Sequence, residues 1–425
     1  MIGNEIYKFA KELWGIDRSL TGEGNRETLN RIKEHIPNLA IKSVPTGTSV
    51  LDWTIPKEWK VNNAYIITPS GEKICDFSTN NLHLVGYSTP IKRKINLNEL
   101  QDHLYSISDQ PNAIPYVTSY YSERWGFCIA HEERENLKEG EYEVVVDTEL
   151  FDGVLNYGEL MIRGESKSEI FLSTYICHPS MANNELSGPT VLTFLSKWLQ
   201  DIEKLKYSYR IVFLPETIGS ITYLSKNLNE MKRRVIAGFN LTCIGDNRTY
   251  SYLPSRSENT LSDNVAKHVL KWIDPNFKLY KWTDRQSDER QYCAPRIDLP
   301  VASIMRTKYG SYPEYHTSLD DLENVVSPEG LNGGYLALQK SIELIENNEV
   351  FKTTILGEPQ LSKRGLYPDL SIKNSTESIR TMMNFLSYCD GTNTLLEIAE
   401  KINTPSWDLY DIVKTLKSEK IIKTI

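Results

Sequence analysis

The sequence predicts a three-layer α/β fold on a mostly parallel sheet, with a separate β-rich part and a C-terminal helical module. Strand-like and helix-like segments alternate from about residue 149 to residue 346, which is the pattern of a parallel sheet covered on both faces. Short alternating runs without a helical pattern fill residues 52–146, which indicates β-structure. Three helical patterns and a short strand end the chain, and that order is typical of a winged helix.

Length, charge and cysteine content limit the class of protein. The 425 residues predict two or three domains. A net charge of −8 argues against a nucleic-acid binder, and six cysteines without paired spacing indicate neither a disulfide framework nor a zinc ribbon. No run approaches the roughly 20 apolar residues of a membrane span. The first 14 residues mix charged and apolar side chains, unlike a signal peptide, so we expect a soluble cytoplasmic protein.

The first 50 residues predict two helices and a strand. The helices cover Met1–Trp14 and Thr28–His35, and the strand covers Ala40–Val44. The glycine-rich turn SLTGEG, residues 19–24, lies between the helices. Arg18 and this turn could approach a ligand, but an ordinary loop between two helices explains them better.

The β-rich part contains a cluster of aromatic residues. Its members are Tyr116, Tyr120, Tyr121, Trp125 and Phe127. These side chains could border a pocket, and we favour the alternative that they form the core of the β-structure.

Polar residues follow four apolar runs that we predict to be buried strands. The runs are Ile170–Cys177, Tyr209–Leu214, Val235–Ile244 and Val301–Arg306, and the polar residues that follow them are His178, Glu216, Asp246 and His316. Because parallel strands bring their carboxyl ends to one edge of the sheet, we expect these four side chains to share that edge.

These residue types suit a hydrolytic zinc site. Such a site needs nitrogen or oxygen ligands, one open position for water, and a nearby carboxylate that takes the proton of that water. His178, Glu185 and His316 are the predicted ligands, with Asp246 as a further candidate, and Glu216 is the predicted general base. A buried core histidine or a solvated acid would explain any one of them alone.

Substrate-binding candidates lie in the loop Ser287–Tyr292 and beside the predicted ligands. In the loop, Asp288, Glu289 and Arg290 could orient a ligand or bind the polar end of a substrate. Beside the ligands, we assign Asn184 and Tyr315 to substrate binding.

The C-terminal module is predicted to be a protein-interaction or packing module. After a polar linker that reaches residue 376, helices are expected over Ser378–Cys389, Thr394–Lys401 and Trp407–Ser418, and a strand over Lys420–Ile425. Residues 391–425 carry five lysines and five acidic residues, so the basic stripe of a DNA reader is missing. A transcriptional regulator is therefore the less favoured alternative.

The order of the site motifs resembles a known family. The motifs are His178, NELSG at 184–188, ETIG at 216–219, Asp246, Ser287-Asp288 and YHT at 315–317. This order resembles the zinc-aminopeptidase (phosphorylase/hydrolase-like) fold of the family-28 metallopeptidases. The chain is more closely similar to bacterial aminopeptidase-like proteins of unassigned function, over nearly its whole length. The strings that carry this closer resemblance are DWTIPKEW, NLHLVGYSTP, CHPSMANNELSG, PETIGS, SDERQYCAP and YGSYPEYHTSLD.

The closer resemblance implies a division into domains. A β-rich domain is inserted into the aminopeptidase-like domain of those proteins, and a winged helix follows at the C-terminus. We therefore expect residues 1–50 and 150–350 to form one discontinuous α/β domain. Residues 51–149 would be the inserted domain, and residues 351–425 a linker plus a winged-helix-like domain.

The resemblance also implies roles for single residues. His178 and His316 match the two histidine ligands of the peptidases, and Glu216 matches the general base. Three other positions depart from the pattern, because carboxylate ligands of the family correspond to Asn184, to Thr217 and to a position near Thr242. A neutral amide or hydroxyl bridges two cations poorly, so a single zinc, or no metal, fits better than two.

The expected function is a zinc-dependent hydrolase of the aminopeptidase or amidohydrolase type. Glu216 would activate the water, and the substrate would be a small peptide or another small molecule with an amide bond. The alternative is a catalytically inactive relative that binds a ligand or a partner. We expect neither a membrane nor nucleic acid as a partner, and homo-oligomerisation remains open.

Overall fold

The computed structural model describes residues 1–366 and 373–425 and divides into two compact units. The first unit comprises Met1–Ser262 and Lys278–Tyr335, and the second comprises Asp263–Phe277 and Leu336–Ile425. Residues 367–372 of the predicted linker lie outside the described residues. The predicted domain boundaries near residues 50, 150 and 350 remain predictions.

Twelve α-helices and nineteen strands are formed by the described residues. The helices are α1 Ile2–Leu13, α2 Glu23–His35, α3 Leu97–Gln101, α4 His131–Glu135, α5 Ser187–Asp201, α6 Ile218–Arg234, α7 Leu261–Ile273, α8 Glu289–Tyr292, α9 Pro328–Asn347, α10 Lys373–Ser387, α11 Leu395–Lys401 and α12 Tyr410–Ser418. The strands are β1 Ala40–Pro45, β2 Ser49–Val50, β3 Trp53–Thr54, β4 Glu58–Ile67, β5 Lys73–Ile74, β6 Ile91–Asn96, β7 Leu104–Tyr105, β8 Phe127–Cys128, β9 Glu141–Phe151, β10 Val154–Ile162, β11 Glu169–Tyr175, β12 Ser208–Leu214, β13 Val235–Leu241, β14 Ser251–Leu253, β15 Lys278–Leu279, β16 Val301–Met305, β17 Val350–Thr353, β18 Asp390–Thr394 and β19 Ile422–Thr424.

An eight-stranded sheet forms the core of the first unit. Its strand order is β1-β10-β12-β11-β13-β16-β14-β15. The four central strands β12, β11, β13 and β16 run parallel, while β1, β10 and β14 pair antiparallel with their neighbours. These central strands are the four apolar runs predicted from the sequence, and their carboxyl ends lie at one edge. The predicted mixed α/β fold is confirmed.

Helices α1 and α2 show how the sequence sets the N-terminal structure. In α1, the apolar residues Ile6, Phe9, Ala10 and Leu13 share one face and are buried, as the helical spacing predicts. Helix α2 begins at Glu23, five residues earlier than predicted. The φ angle of 111° at Gly22 allows the turn into the helix, and the polar sequence of its first turn gave no apolar period.

The β-rich part belongs to the first unit and reaches the edge of the large sheet. Its four-stranded sheet has the order β5-β4-β9-β6, and β4 and β9 pair antiparallel over most of their length. Farther along, the Tyr116 N–H donates to the His316 carbonyl oxygen at 2.9 Å. Pro115 and Thr317 form an isolated bridge beside this bond. The β-rich part is thereby fixed to the loop that follows β16.

The second unit contains a three-stranded sheet with the order β18-β17-β19 and the helices α10, α11 and α12. Thr394 caps α11, because its hydroxyl accepts from the Glu397 N–H while the Glu397 carboxylate accepts from the Thr394 N–H. Strand β18 was not predicted, since the polar sequence DGTNT shows no apolar alternation. The predicted C-terminal winged helix is confirmed. None of the described helices is long and apolar enough to cross a membrane.

Candidate active site

The carboxyl edge of the central sheet brings three of the four polar residues that were predicted to follow buried strands into one cavity. His178 follows β11, Glu216 follows β12, and His316 lies in the loop after β16. The ring centroids of the two histidines are 5.7 Å apart, and His178 Nε2 lies 3.7 Å from Glu216 Oε2. All three line a cavity of about 320 Å³. Their metal-binding and catalytic roles remain predictions.

Glu185 and Arg18 lie behind His178. Glu185 Oε2 is 2.9 Å from His178 Nδ1, and Arg18 Nε is 3.7 Å from Glu185 Oε1. Arg18 also donates to the carbonyl oxygens of His178 and Leu13, at 3.1 and 2.7 Å. Arg18 is fully buried. Arg18 lies in the loop between α1 and α2, as expected, and the sequence gave no signal for its buried contacts with Glu185 and His178.

Burial sets the protonation of this group. Burial and then the Arg18 charge lower the pKa of His178 to about 3, so the ring is neutral. Burial raises the pKa of Glu185 to about 8, and the Arg18 guanidinium opposes that rise. Arg18 Nη2 and Glu185 Oε1 are buried without a hydrogen-bond partner among the described residues. A buried polar atom without a partner needs an explanation, such as a catalytic role or a bound water or ion.

Glu216 is held by a strained backbone. The next residue, Thr217, has φ 64° and ψ −74°, which a β-branched residue rarely adopts. Asp288 Oδ1 stabilises this conformation by accepting from the Thr217 N–H and from the Ser220 hydroxyl, at 2.8 and 2.7 Å. Such strain persists only where the surroundings enforce it, and it concentrates at functional sites.

The pKa of Glu216 is also shifted. Burial raises this pKa to about 8, and the negative charge of Asp288 adds to the rise. Burial and then the charge of His178 lower the pKa of His316 to about 3. The cavity therefore presents two neutral imidazoles and a carboxyl group whose pKa is raised.

The loop Ser287–Tyr292 places its three charged residues differently. Asp288 is buried behind Thr217, as described above. Glu289 is also buried, and its carboxylate accepts from Ser287 N–H, the Tyr309 hydroxyl and other groups of the fold. Arg290 alone lines the cavity, where its Nη2 donates to Thr217 Oγ1 at 2.7 Å. The structure thus brings one of these three candidates to the cavity.

Asn184 and Asp246 are buried beside the site without lining the cavity. Asn184 Oδ1 accepts from the Tyr175 hydroxyl at 3.0 Å, and that hydroxyl also lies 2.5 Å from Thr242 Oγ1. The Asp246 carboxylate accepts from the N–H and hydroxyl of Thr307, both at 2.7 Å, and from two other donors. The roles predicted for these two residues, in substrate and metal binding, remain predictions.

Tyrosines of the β-rich part form one wall of the cavity. Tyr116, Tyr120 and Tyr121 line it, whereas Phe127 is buried in the core. The favoured interpretation as a core cluster is therefore wrong for Tyr116 and Tyr121, whereas Tyr120 both lines the cavity and packs against the core. The sequence signal against a core position was the tyrosine hydroxyl group, because a buried phenol needs a hydrogen-bond partner. The hydroxyls of Tyr116 and Tyr120 contact each other at 2.5 Å.

Tyr315 and Asp320 support the site from the loop after β16. Tyr315 stacks on the His316 ring with the centroids 3.9 Å apart, so this predicted substrate-binding residue packs against a predicted ligand. Asp320 accepts from the N–H groups of Asn183 and Asn184 and thereby fixes the turn that carries Glu185. Sequence reasoning missed Asp320, although it ends the string YHTSLD.

The residues present fit a zinc ion. Neutral imidazole is a donor that zinc takes in hydrolytic enzymes, and His178 and His316 offer it in one cavity that Glu216 also lines. Ligand atoms of Cys177, His178 and Glu185 also lie within 4.8 Å of one another, but the Glu185 carboxylate is hydrogen-bonded to His178 Nδ1.

The family is shown by comparison with known sequences. The profile of the family described as "Domain of unknown function (DUF4910)" matches residues 7–348. The chain belongs to the DUF4910 family. A second profile, described as a winged helix-turn-helix, matches residues 349–424 of this DUF4910 protein.

Two similar proteins from Clostridium acetobutylicum have names that refer to peptidases. A Clostridium acetobutylicum protein named "Putative polysaccharide biosynthesis protein with aminopeptidase-like domain" is 43% identical over 401 residues, which are 94% of this chain and 91% of the relative. The crystal structure of a "putative peptidase" from the same species is 40% identical, with a TM-score of 0.94, and covers 100% of this chain and 97% of that one. The DUF4910 chain is thus similar to aminopeptidase-like proteins along its whole length.

More distant solved structures share the fold. A zinc aminopeptidase from Bacillus subtilis is 13% identical, with a TM-score of 0.58, and covers 81% of this chain and 94% of that one. A peptidase M28 precursor from Shewanella amazonensis is also 13% identical, with a TM-score of 0.56, and covers 84% and 98%. The aminopeptidase-like fold predicted for the DUF4910 chain is confirmed.

Proposed function

We propose that this protein is a zinc-dependent hydrolase of amide bonds in which Glu216 is the general base. The observation that carries the proposal is the position of Glu216 Oε2, which lies 3.7 Å from Nε2 of a neutral histidine in a cavity that a second histidine also lines. A general base of a hydrolytic zinc site must reach the water beside the ligands.

His178 and His316 would hold the zinc. When bound there, the ion would polarise the amide carbonyl and lower the pKa of water. Glu185 lies on the Nδ1 side of His178, where a carboxylate orients the ring and leaves Nε2 available. We therefore propose that Glu185 positions His178, in place of the direct ligand role predicted from the sequence.

Glu216 would move the proton of the reaction. Its pKa of about 8 lies close to neutral pH, which suits a group that both accepts and returns a proton. The carboxylate would take a proton from the attacking water and deliver it to the leaving nitrogen. Asp288 would keep Glu216 in position through the hydrogen bond to the Thr217 N–H.

We propose one metal ion instead of two. At the positions where the resemblance places further carboxylate ligands, Asn184 and Thr242 are buried and share the Tyr175 hydroxyl as a hydrogen-bond partner. A neutral network of this kind supplies no negative charge to offset a second divalent cation.

Replacement of Glu216 tests the proposed mechanism. Glu216→Gln keeps the size of the side chain and removes the base, so turnover of amide substrates should fall at least 10²- to 10⁴-fold while bound zinc is retained. Turnover would be followed on a panel of peptides and acylated amino acids, with zinc measured by elemental analysis. Glu203→Gln, at an exposed position, is the matched control. Retained activity in Glu216→Gln would contradict the mechanism.

A second candidate is a ligand-binding protein without catalysis. It is favoured by the neutral residues at Asn184, Thr217 and Thr242, since loss of metal ligands is the expected change in an inactive relative. The name of the curated relative suggests that amide-bearing building blocks of polysaccharides are worth testing as ligands. Zinc-dependent hydrolysis of any amide by the wild type would exclude this candidate.

A further inference from the structure

We infer that the substrate of this site carries a carboxylate, which Arg290 binds. The inference rests on the proposed amide hydrolysis and specifies its substrate class. The inference distinguishes an enzyme that acts on N-acylated amino acids from an aminopeptidase. The substrates of the former carry a carboxylate one carbon from the amide, whereas aminopeptidase substrates carry a free ammonium group one carbon from the amide.

Arg290 is a cation at the cavity, and most of its N–H donors are not used by the fold. Its side chain is exposed and lines the cavity beside Glu216 and Thr217. Among the described residues, no carboxylate oxygen lies within 4.0 Å of its guanidinium group, and its hydrogen bond to Thr217 Oγ1 uses one of five N–H donors. The planar guanidinium matches a carboxylate, which it binds through two parallel hydrogen bonds.

The carboxylates around the cavity are committed to other partners. Asp288 is fully buried and holds the Thr217 backbone and the Ser220 hydroxyl. Glu185 is fully buried between His178 and Arg18. That leaves Glu216, which the reaction needs as its base. A substrate ammonium would therefore lack a carboxylate partner here and would be repelled by Arg290.

The remaining wall suits an apolar group on the same substrate. Trp53 and Tyr121 line the cavity and are 38% and 57% exposed, and their rings meet edge to face with centroids 5.6 Å apart. Large aromatic side chains exposed at a cavity commonly supply contact area for a ligand. A volume of about 320 Å³ is at the small end of ligand pockets, which suits a single acylated amino acid better than a long peptide.

Three phenylalanine derivatives test the inference. N-acetylphenylalanine carries the carboxylate, N-acetylphenylalaninamide is its neutral counterpart, and phenylalaninamide carries the ammonium. Binding would be measured by calorimetry on the zinc-loaded Glu216→Gln protein, and turnover on the wild type. We expect the acid to bind about tenfold or more tightly than either of the others, because a charge-assisted bidentate contact is the strongest that Arg290 can make.

Variants of Arg290 assign the preference to this residue. Arg290→Gln should remove the preference for the acid, and Arg290→Lys should keep part of it, with zinc content unchanged in both. Arg285→Gln removes the same charge from an exposed arginine that stacks on Trp282 outside the cavity, and it should leave the preference intact. These variants would be made in the Glu216→Gln background for binding and in the wild type for turnover.

The outcomes separate this inference from the proposed function. If the Glu216→Gln protein binds the acid through Arg290 while the wild type hydrolyses none of the compounds, the hydrolase proposal fails and the carboxylate inference stands. Tighter binding of phenylalaninamide, a preference for the acid that survives Arg290→Gln, or no binding of any of the three would overturn the inference.

Discussion

Two buried histidines, one in each unit, contact a glutamate through Nδ1 and differ in what their Nε2 atoms contact. Nδ1 of His178 lies against Glu185, and Nδ1 of His268 lies against Glu400. Nε2 of His268 accepts a hydrogen bond from the Ser406 N–H at 3.0 Å. Nε2 of His178 has no hydrogen bond among the described residues and faces the Glu216 carboxyl group across 3.7 Å.

The difference teaches how to distinguish a structural histidine from a functional one. Both rings are buried, and burial lowers the pKa of both, so neither property separates them. In His268 both nitrogens are bound within the fold, and the ring joins α7 to the segment before α12. In His178 the fold fixes one nitrogen and leaves the other at a cavity, which is the arrangement of a metal ligand.

The largest expected effect comes from removing each ring. His178→Ala should abolish zinc binding, because one of the proposed ligands is lost. His268→Ala should bind as much zinc as the wild type and instead unfold at lower denaturant concentration, since it leaves the buried Ser406 N–H without an acceptor. Elemental analysis and urea unfolding on both variants would check this. Full zinc content in His178→Ala would show that the metal binds at a site that does not need His178.

Replacing the carboxylates behind the two rings should change zinc binding less than removing the rings does. Glu185→Gln should weaken zinc binding roughly 10- to 100-fold, which is the usual effect of removing a group that orients a histidine ligand. Glu400→Gln should leave zinc affinity unchanged, because Glu400 serves a histidine without a proposed metal. Competition with a chelator of known affinity measures both. Complete loss of zinc in Glu185→Gln would instead favour the direct ligand role predicted from the sequence.

The parts of the site that the sequence predicts are those set by the sheet. His178, Glu216 and the loop of His316 follow apolar runs that form parallel strands, so the rule for strand ends brings them to one edge without further information. The strand limits were also close, since the predicted Tyr209–Leu214 became Ser208–Leu214. Apolar runs of this length predict buried strands well, because a strand that is covered on both faces needs apolar side chains on both.

The parts that the sequence did not predict depend on contacts between distant segments. Tyr116 reaches the cavity because its N–H pairs with the carbonyl oxygen of His316, and no local pattern encodes that pairing. The same holds for Arg18, which reaches Glu185 from the N-terminal loop. In the loop after Gln286, whether Glu289 or Arg290 faces the cavity is decided by the Tyr309 hydroxyl and the backbone N–H groups that bind Glu289.

The smallest expected effect is a pH dependence at His268. Its pKa in the folded chain is lowered from 6.5, chiefly by burial, although Glu400 opposes the shift. A histidine with a lowered folded pKa stabilises the fold above pH 6.5, and this contribution is lost as the pH falls through the folded value. Protonation adds a proton to Nε2 and removes the acceptor for the Ser406 N–H, a loss of about 1 kcal/mol.

Hydrogen exchange at Ser406 measures this effect locally. The protection factor of the Ser406 amide, corrected for the intrinsic pH dependence of exchange, should fall between pH 7.5 and the acid end of the stable range. In His268→Gln the protection should be lower at neutral pH and should no longer vary over that range, whereas His131→Gln in the β-rich part should behave like the wild type. Protection that is constant with pH in the wild type would mean that His268 stays neutral throughout.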